Sequence, residues 1–406
     1  MADSSRSLLR HPPFAFLASS RVLSSVGFQM LGVAVAWELY ALTGSALDLG
    51  LVGLVQFAPM VLLTLVVGHV ADRHDRRFIV IACEVVKAAV AVALAAGAIG
   101  DWQTRGMIFG LIALLAAAQA FENPAMSALV PEVVDRALIA PAMAWVVSAG
   151  QTAQIVGPAL GGALYVFGPG AAYLTAGALF ALAGALAVAV RVARTVCVRE
   201  PLSLATVLSG VAFIVSRRVL LGSMSLDLFA VLFGGATALL PVYARDILGA
   251  GPVGLGLLRS APAVGALAIS IVLARHPLVR PIGPTLFWSV MVFGAATVVF
   301  GVSRSFALSL LALAVLGAAD VVSMVIRLSL AQIRTPDAMR GRVSAAHSLF
   351  TGTSNQLGAF ESGLAAALLG PVPAVLLGGV GTIAVAALWM VLFPELRRLR
   401  RFEEDA

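Results

Sequence analysis

Ten ionisable side chains interrupt otherwise apolar stretches: Glu38, Glu84, Lys87, Glu122, Asp227, Arg259, Asp320, Arg327, His347 and Glu361. A charge in an apolar medium is costly and is a functional candidate by default. A carboxyl held in such a medium resists ionisation, so it can load and release a proton. Asp227, Asp320 and Glu361 are the candidates for that role. Asp320 and Arg327 are two helical turns apart and could share a face. Glu84 and Lys87 stand three apart, close enough to pair on one helix. Glu38 lies beside Trp37 and Tyr40, where it could meet a substrate or sit at an interface. Arg259 could pair with a carboxylate or meet an anion. Glu122 is placed near a helix end, with a loop-stabilising role. Gln29, Trp37, Glu38, Gln151, Gln154 and Asn355 are polar or aromatic groups that could orient a mostly apolar substrate in a central pocket.

Nothing in the pattern performs catalysis. The sequence contains no phosphate-cradling P-loop, no paired zinc-ligand motif and no nucleophile elbow. No metal or cofactor is implied, and an ATP-driven mechanism has no supporting motif. Cys83 and Cys197 have neither metal-site nor disulfide-framework spacing.

The elements that must position these residues follow from composition. Of 406 residues, 60% are hydrophobic and 12% charged. A soluble domain has about 25% charged residues, so there are too few charges here to cover a soluble surface. A helix needs about 20 mostly apolar residues to cross a bilayer. Twelve stretches qualify, roughly 14–42, 47–70, 78–100, 104–124, 137–168, 170–191, 219–245, 252–274, 281–302, 305–328, 341–369 and 371–394. The first is read as a retained helix, not a signal peptide. Membrane β-barrel alternation is absent.

Orientation follows from arginine. With both termini cytoplasmic, twenty-two arginines, Arg327 among them, fall on the inner side and only Arg105, Arg245 and Arg304 on the outer. The same bias explains the net charge of +7 without nucleic acid. The longest polar break divides the chain into an N-terminal six-helix bundle (1–192), a cytoplasmic linker (193–218) and a C-terminal bundle with a short tail (219–406). The linker stretch 201–216 predicts a helix lying on the inner membrane surface. Val130-Pro131-Glu132 after span four and Thr335-Pro336-Asp337 after span ten occupy equivalent loops, as in a parallel repeat.

Two motifs stand out. Gly68-His69-Val70-Ala71-Asp72-Arg73-His74-Asp75-Arg76-Arg77 joins spans two and three. It resembles the signature loop of the major facilitator superfamily, with Asp75 where that family usually has Gly. Gly157-Pro158-Ala159-Leu160-Gly161-Gly162 in span five resembles the antiporter motif of the same superfamily, with Ala153 replacing its first Gly. The span-four motif is poorly matched, with Gln119 in place but Ala116 where an Arg is usual. The stretches 121–132, 238–244 and 335–343 look like the branch of enterobactin exporters and macrolide efflux proteins.

The resemblance implies an all-α membrane protein of twelve transmembrane helices in two six-helix bundles, the major facilitator fold. It implies that Gly68, Asp72, Arg73, Arg76 and Arg77 gate the cytoplasmic side. It implies that Gly157, Pro158, Gly161 and Gly162 belong to an exporter. The expected protein is a secondary transporter, not an enzyme, in the bacterial inner membrane. It would export a small organic molecule (a drug, siderophore or secondary metabolite) by proton antiport and alternating access, as a monomer among membrane lipids. Alternatives are a lysophospholipid flippase and an importer of the same fold.

Overall fold

The computed structural model describes residues 11–190, 204–276 and 281–402. Among them the backbone is helical, with no strand. This is the arrangement a lipid environment demands, because helices satisfy their own backbone hydrogen bonds. The first helices are α1 (Pro12–Thr43), α2 (Ala46–Arg73), α3 (Arg76–Ile99), α4 (Arg105–Val133), α5 (Ile139–Tyr165) and α6 (Pro169–Ala189). A short helix α7 (Leu204–Ser216) precedes α8 (Arg218–Phe233), α9 (Gly251–Arg275), α10 (Ile282–Val302), α11 (Phe306–Arg334), α12 (Asp337–Leu369), α13 (Pro371–Leu392) and α14 (Pro394–Arg398).

Ten helical stretches are long and apolar enough to cross a membrane. The other two expected spans are α5 and α12, with 27 and 33 residues. Both are long enough to cross. Gln151 and Gln154 in α5, and Arg340, Arg342, Asn355, Gln356 and Glu361 in α12, lower their hydropathy. The expected twelve therefore differ from the ten strongly apolar helices for a chemical reason.

The helix ends show why the chain turns where it does. Asp75 caps α3 by accepting from the Arg77 N–H at 2.9 Å. Thr104 caps α4 by accepting from the Met107 N–H at 3.3 Å. Each such cap stabilises a helix by about 1 kcal/mol. Gly168 at φ 101° precedes Pro169 at the start of α6, and Gly370 at φ 92° precedes Pro371 at the start of α13. Only glycine adopts that backbone without strain. The same Gly-Pro device thus opens the sixth span of each half, a second echo of the repeat.

The expected seventh span is discontinuous. α8 stops at Phe233, a 3-10 turn covers Gly235–Leu239, and a π turn covers Tyr243–Ile247. Gly234, Gly235 and Pro241 interrupt the helical pattern there. Broken helices in transporters commonly lie near binding sites.

Two compact units emerge from packing. Among the described residues, one comprises 11–43, 58–190 and 252–260, the other 44–57, 204–251, 261–276 and 281–402. The core of the first includes Phe14, Leu17, Val80, Met126 and Leu129. That of the second includes Leu220, Leu226, Phe287, Ile326 and Leu330. The linker helix forms over 204–216, whereas 201–203 lie outside the described residues. Its Ile214 is buried in the second core while Leu208 and Val215 are exposed.

Candidate functional site

In the second unit, Arg327 of α11 is buried and forms an ion pair with Asp227 of α8. Its second terminal nitrogen lies 3.9 Å from Asp320 Oδ1, and its Nε donates to the Ser323 carbonyl at 3.3 Å. Asp320 is half exposed, and Asp227 is nearly fully buried. A hollow bounded by Asp227, Ser289, Phe293, Asp320 and Ser323 opens beside the pair. Two expected coupling carboxyls are therefore brought to one guanidinium. Glu361 lies separately on α12, where its Oε2 accepts from Ser362 Oγ at 3.4 Å. Arg327, one of the charges expected within a span, is a buried partner to which the desolvated Asp227 carboxyl offers a counter-charge.

A second ionic group forms in the first unit. Lys87 Nζ of α3 donates to Glu84 Oε1 at 2.8 Å, Glu122 Oε2 at 2.6 Å and Ser24 Oγ at 2.5 Å. Ser24 in turn donates to Glu122 Oε1 at 3.1 Å. All three charged side chains are fully buried. The expected Glu84–Lys87 pair is present. Glu122 departs from its reading as a loop stabiliser. It sits inside α4, where it gives Lys87 a second anion.

The signature loop is tied at both sides. Arg76 pairs with Glu132 at the end of α4. Arg77 Nε donates to the Ala187 carbonyl at 3.1 Å, and its terminal nitrogen donates to Val188. Arg77 thereby adds a side-chain donor to carbonyls in the last turn of α6. Asp75, the departure from the family pattern, is the α3 cap. Gly68, Asp72 and Arg73 lie in the last part of α2, and their side-chain surroundings fall outside the described residues.

The antiporter-motif glycines line close seams. A Cβ on Gly157 would stand 2.6 Å from Gln29 Cβ, and one on Gly161 would stand 2.6 Å from the Met30 carbonyl. Gly162 packs against Pro252 and Gly256 of α9. Pro158 is buried within α5. Nearby, Ser260 Oγ donates to the Ile155 carbonyl at 2.6 Å, and Arg259 donates to the Gly32 carbonyl at 3.3 Å. Arg259 thus holds a backbone carbonyl of α1, a structural contact.

The expected cavity residues lie in both units. Gln29 is half-buried under α5 at Gly157, and Gln151 is half-buried while Gln154 is exposed. Trp37 stacks edge-on against Tyr165, whose hydroxyl donates to Glu38. Glu38 is therefore engaged by the end of α5. Asn355 is exposed, with Nδ2 donating to the Thr351 carbonyl at 3.0 Å.

Residues 3–405 match the family model described as transmembrane secretion effector. The chain belongs to this family. It is a major facilitator transporter and not an enzyme. The enterobactin exporter EntS of Citrobacter koseri is 26% identical over 414 residues, covering 97% of this chain and 95% of the relative. A POT family transporter solved in complex with 5-aminolevulinic acid aligns with a TM-score of 0.76 at 11% identity, covering 94% of this chain and 96% of that one. A bacterial homolog of the human lysosomal transporter Spinster aligns with a TM-score of 0.71 at 12% identity, covering 95% of both chains. At such identities the structures show the fold alone. The chain is a multi-pass membrane protein, and its relatives include proteins named enterobactin exporters.

Proposed function

We propose that this chain exports a small organic molecule across the bacterial inner membrane by proton antiport, with both termini in the cytoplasm. The observation that carries the coupling is the buried Asp227–Arg327 pair with Asp320 at its edge. Two carboxyls share one guanidinium, so the cost of holding both as anions depends on the position of the cation. Protonation of Asp227 removes its charge and leaves Arg327 to Asp320. Loss of that proton draws Arg327 back. The exchange gives the protein two internal arrangements, which is what alternating access requires. Glu361 is a third carboxyl available to the same cycle.

Export is supported by the glycine seams of the antiporter motif and by the likeness to the enterobactin exporter EntS. Gln29, Trp37, Glu38, Gln151, Gln154 and Asn355 supply polar and aromatic contacts for a bulky, largely apolar substrate. The loop at Gly68, Asp72, Arg73, Arg76 and Arg77 controls the cytoplasmic opening. The protein works as a monomer surrounded by lipid.

The test uses purified protein in liposomes that hold a proton gradient and a pH-sensitive dye. Siderophores, macrolides, cationic dyes and lysolipids are added in turn. The reading expects at least one of the first three classes to dissipate the gradient in the wild type and not in Asp227→Asn. Solute or lipid movement without proton movement would overturn the antiport.

A further inference from the structure

The Glu84–Lys87–Glu122 group lies in the first unit, among helices that the Asp227 site does not use. Its hydrogen bonds are uneven. Glu122 accepts from Lys87 on one oxygen and from Ser24 on the other, with Arg21 at 4.0 Å. Glu84 accepts from Lys87 on Oε1 alone, and its Oε2 is buried with no hydrogen-bond partner. A bare carboxylate oxygen in a dry interior is costly, whereas a neutral carboxyl avoids most of that cost. Two carboxyls also face a single ammonium in the fully buried set.

The groups around Glu84 are few. α3 itself gives Cys83 and Lys87. α4 gives Glu122, with Asn123 beside it accepting from Arg21 at 3.3 Å and from Gln119 at 2.9 Å. α1 gives Ser24 and Arg21, and Arg21 contacts Glu122 and Asn123, not Glu84. α6 gives Gly184 and Phe180, whose ring lies 4.9 Å from Lys87 Nζ. No other cation competes for Glu84 among these neighbours.

We propose that Glu84 is a second proton-binding carboxyl, and that its proton decides whether Lys87 faces one anion, Glu122, or is shared between two. A proton given up by a solvent hydronium ion, which leaves as water, adds to Oε2 of Glu84 and makes it neutral. Lys87 then has one anion, Glu122, and ties α3 to α4 and, through Ser24, to α1. Release of the proton restores a second anion beside Lys87 and weakens the inter-helix bond. The role of this step in transport rests on the reading of the chain as a proton-driven exporter; the protonation itself does not.

The experiment is infrared difference spectroscopy of the full chain in liposomes at neutral pH, without substrate. Wild type minus Glu84→Gln is expected to show the carbonyl stretch of an undissociated carboxyl. Carboxylate stretches in its place would mean that Glu84 is ionised, and would overturn the proposal. Glutamine is a neutral near-isostere of a protonated glutamate, so Glu84→Gln is expected to fold and melt like the wild type. Failure of that variant to fold would show that a charge at position 84 is needed, and would equally overturn it. In Glu122→Gln, Lys87 has only Glu84 left, so the carbonyl band should vanish there too; its survival would contradict the exchange. A wild type that shows the band and moves no proton with any solute would sink the proton-driven reading of export and leave this one standing.

Discussion

Asp227 and Arg327 sit on separate helices, and no spacing rule in the sequence joins them. Each is visible alone as a charge in an apolar run; only the packing of α8 against α11 makes them partners. Removing one side of a buried pair leaves the other uncompensated and costs about 3–5 kcal/mol. Arg327→Ala should therefore lower the melting temperature of the purified protein markedly, and the double change Arg327→Ala with Asp227→Asn should recover part of the loss. An unchanged melting temperature in the single variant would contradict the pairing. Arg76 and Glu132 are part-buried, with 16% and 15% of their side-chain surface exposed, so breaking this pair costs less than breaking the fully buried one. Glu132→Ala should lower stability less than Arg327→Ala and show its effect in transport rate, read in vesicles.

The Lys87 group illustrates the same limit on legibility. Glu84 and Lys87 are readable as a pair because three residues bring them to one helix face. Glu122 and Ser24 come from other helices, so neither could be assigned to Lys87 before the fold was in view. The role of Asp75 was closer to hand. An Asp just before a helix start is a common cap, and its presence in place of Gly has that local explanation.

At the scale of elements, hydropathy locates ten spans strongly. It is weakest for α5 and α12, because both helices carry amides and hydroxyls and α12 also carries charges. The Gly157–Gly162 motif rescues α5 from sequence alone. The break after α8 has its signals in Gly234, Gly235 and Pro241, yet a long apolar stretch hides them. Small residues let helices approach closely in lipid, where packing rather than hydrophobic exclusion holds them together. Gly161 tests this directly. Its Cβ would stand 2.6 Å from a backbone carbonyl that cannot swing aside. Gly161→Leu should separate α1 from α5 and reduce the folded yield severalfold in fluorescence-detected size exclusion. Gly110→Ala, in the same unit and with open space at its Cβ, should fold as well as the wild type, and removing a helix-interior glycine contributes about 0.5–1 kcal/mol of stability. Equal loss in both variants would show that the seam is not what matters.

At the scale of the whole molecule, the arginine bias predicts an orientation with both termini in the cytoplasm. In a Cys197→Ser background, Asp101→Cys should react with a membrane-impermeant thiol reagent in intact spheroplasts. Arg217→Cys should react only after permeabilisation. The reverse pattern would invert the topology and with it the direction assigned to transport. The fold class was legible from span count and the signature loop together. Substrate choice was not, because it depends on how side chains from several helices converge, and Gln29, Gln154 and Asn355 do not share a periodic pattern.

The central claim is that a proton gradient drives a small molecule outward through this chain. The most direct measurement is accumulation of a transported compound in everted membrane vesicles, before and after a protonophore is added. The account predicts accumulation that collapses with the protonophore and is absent in Asp227→Asn. Accumulation that persists in both cases would contradict it.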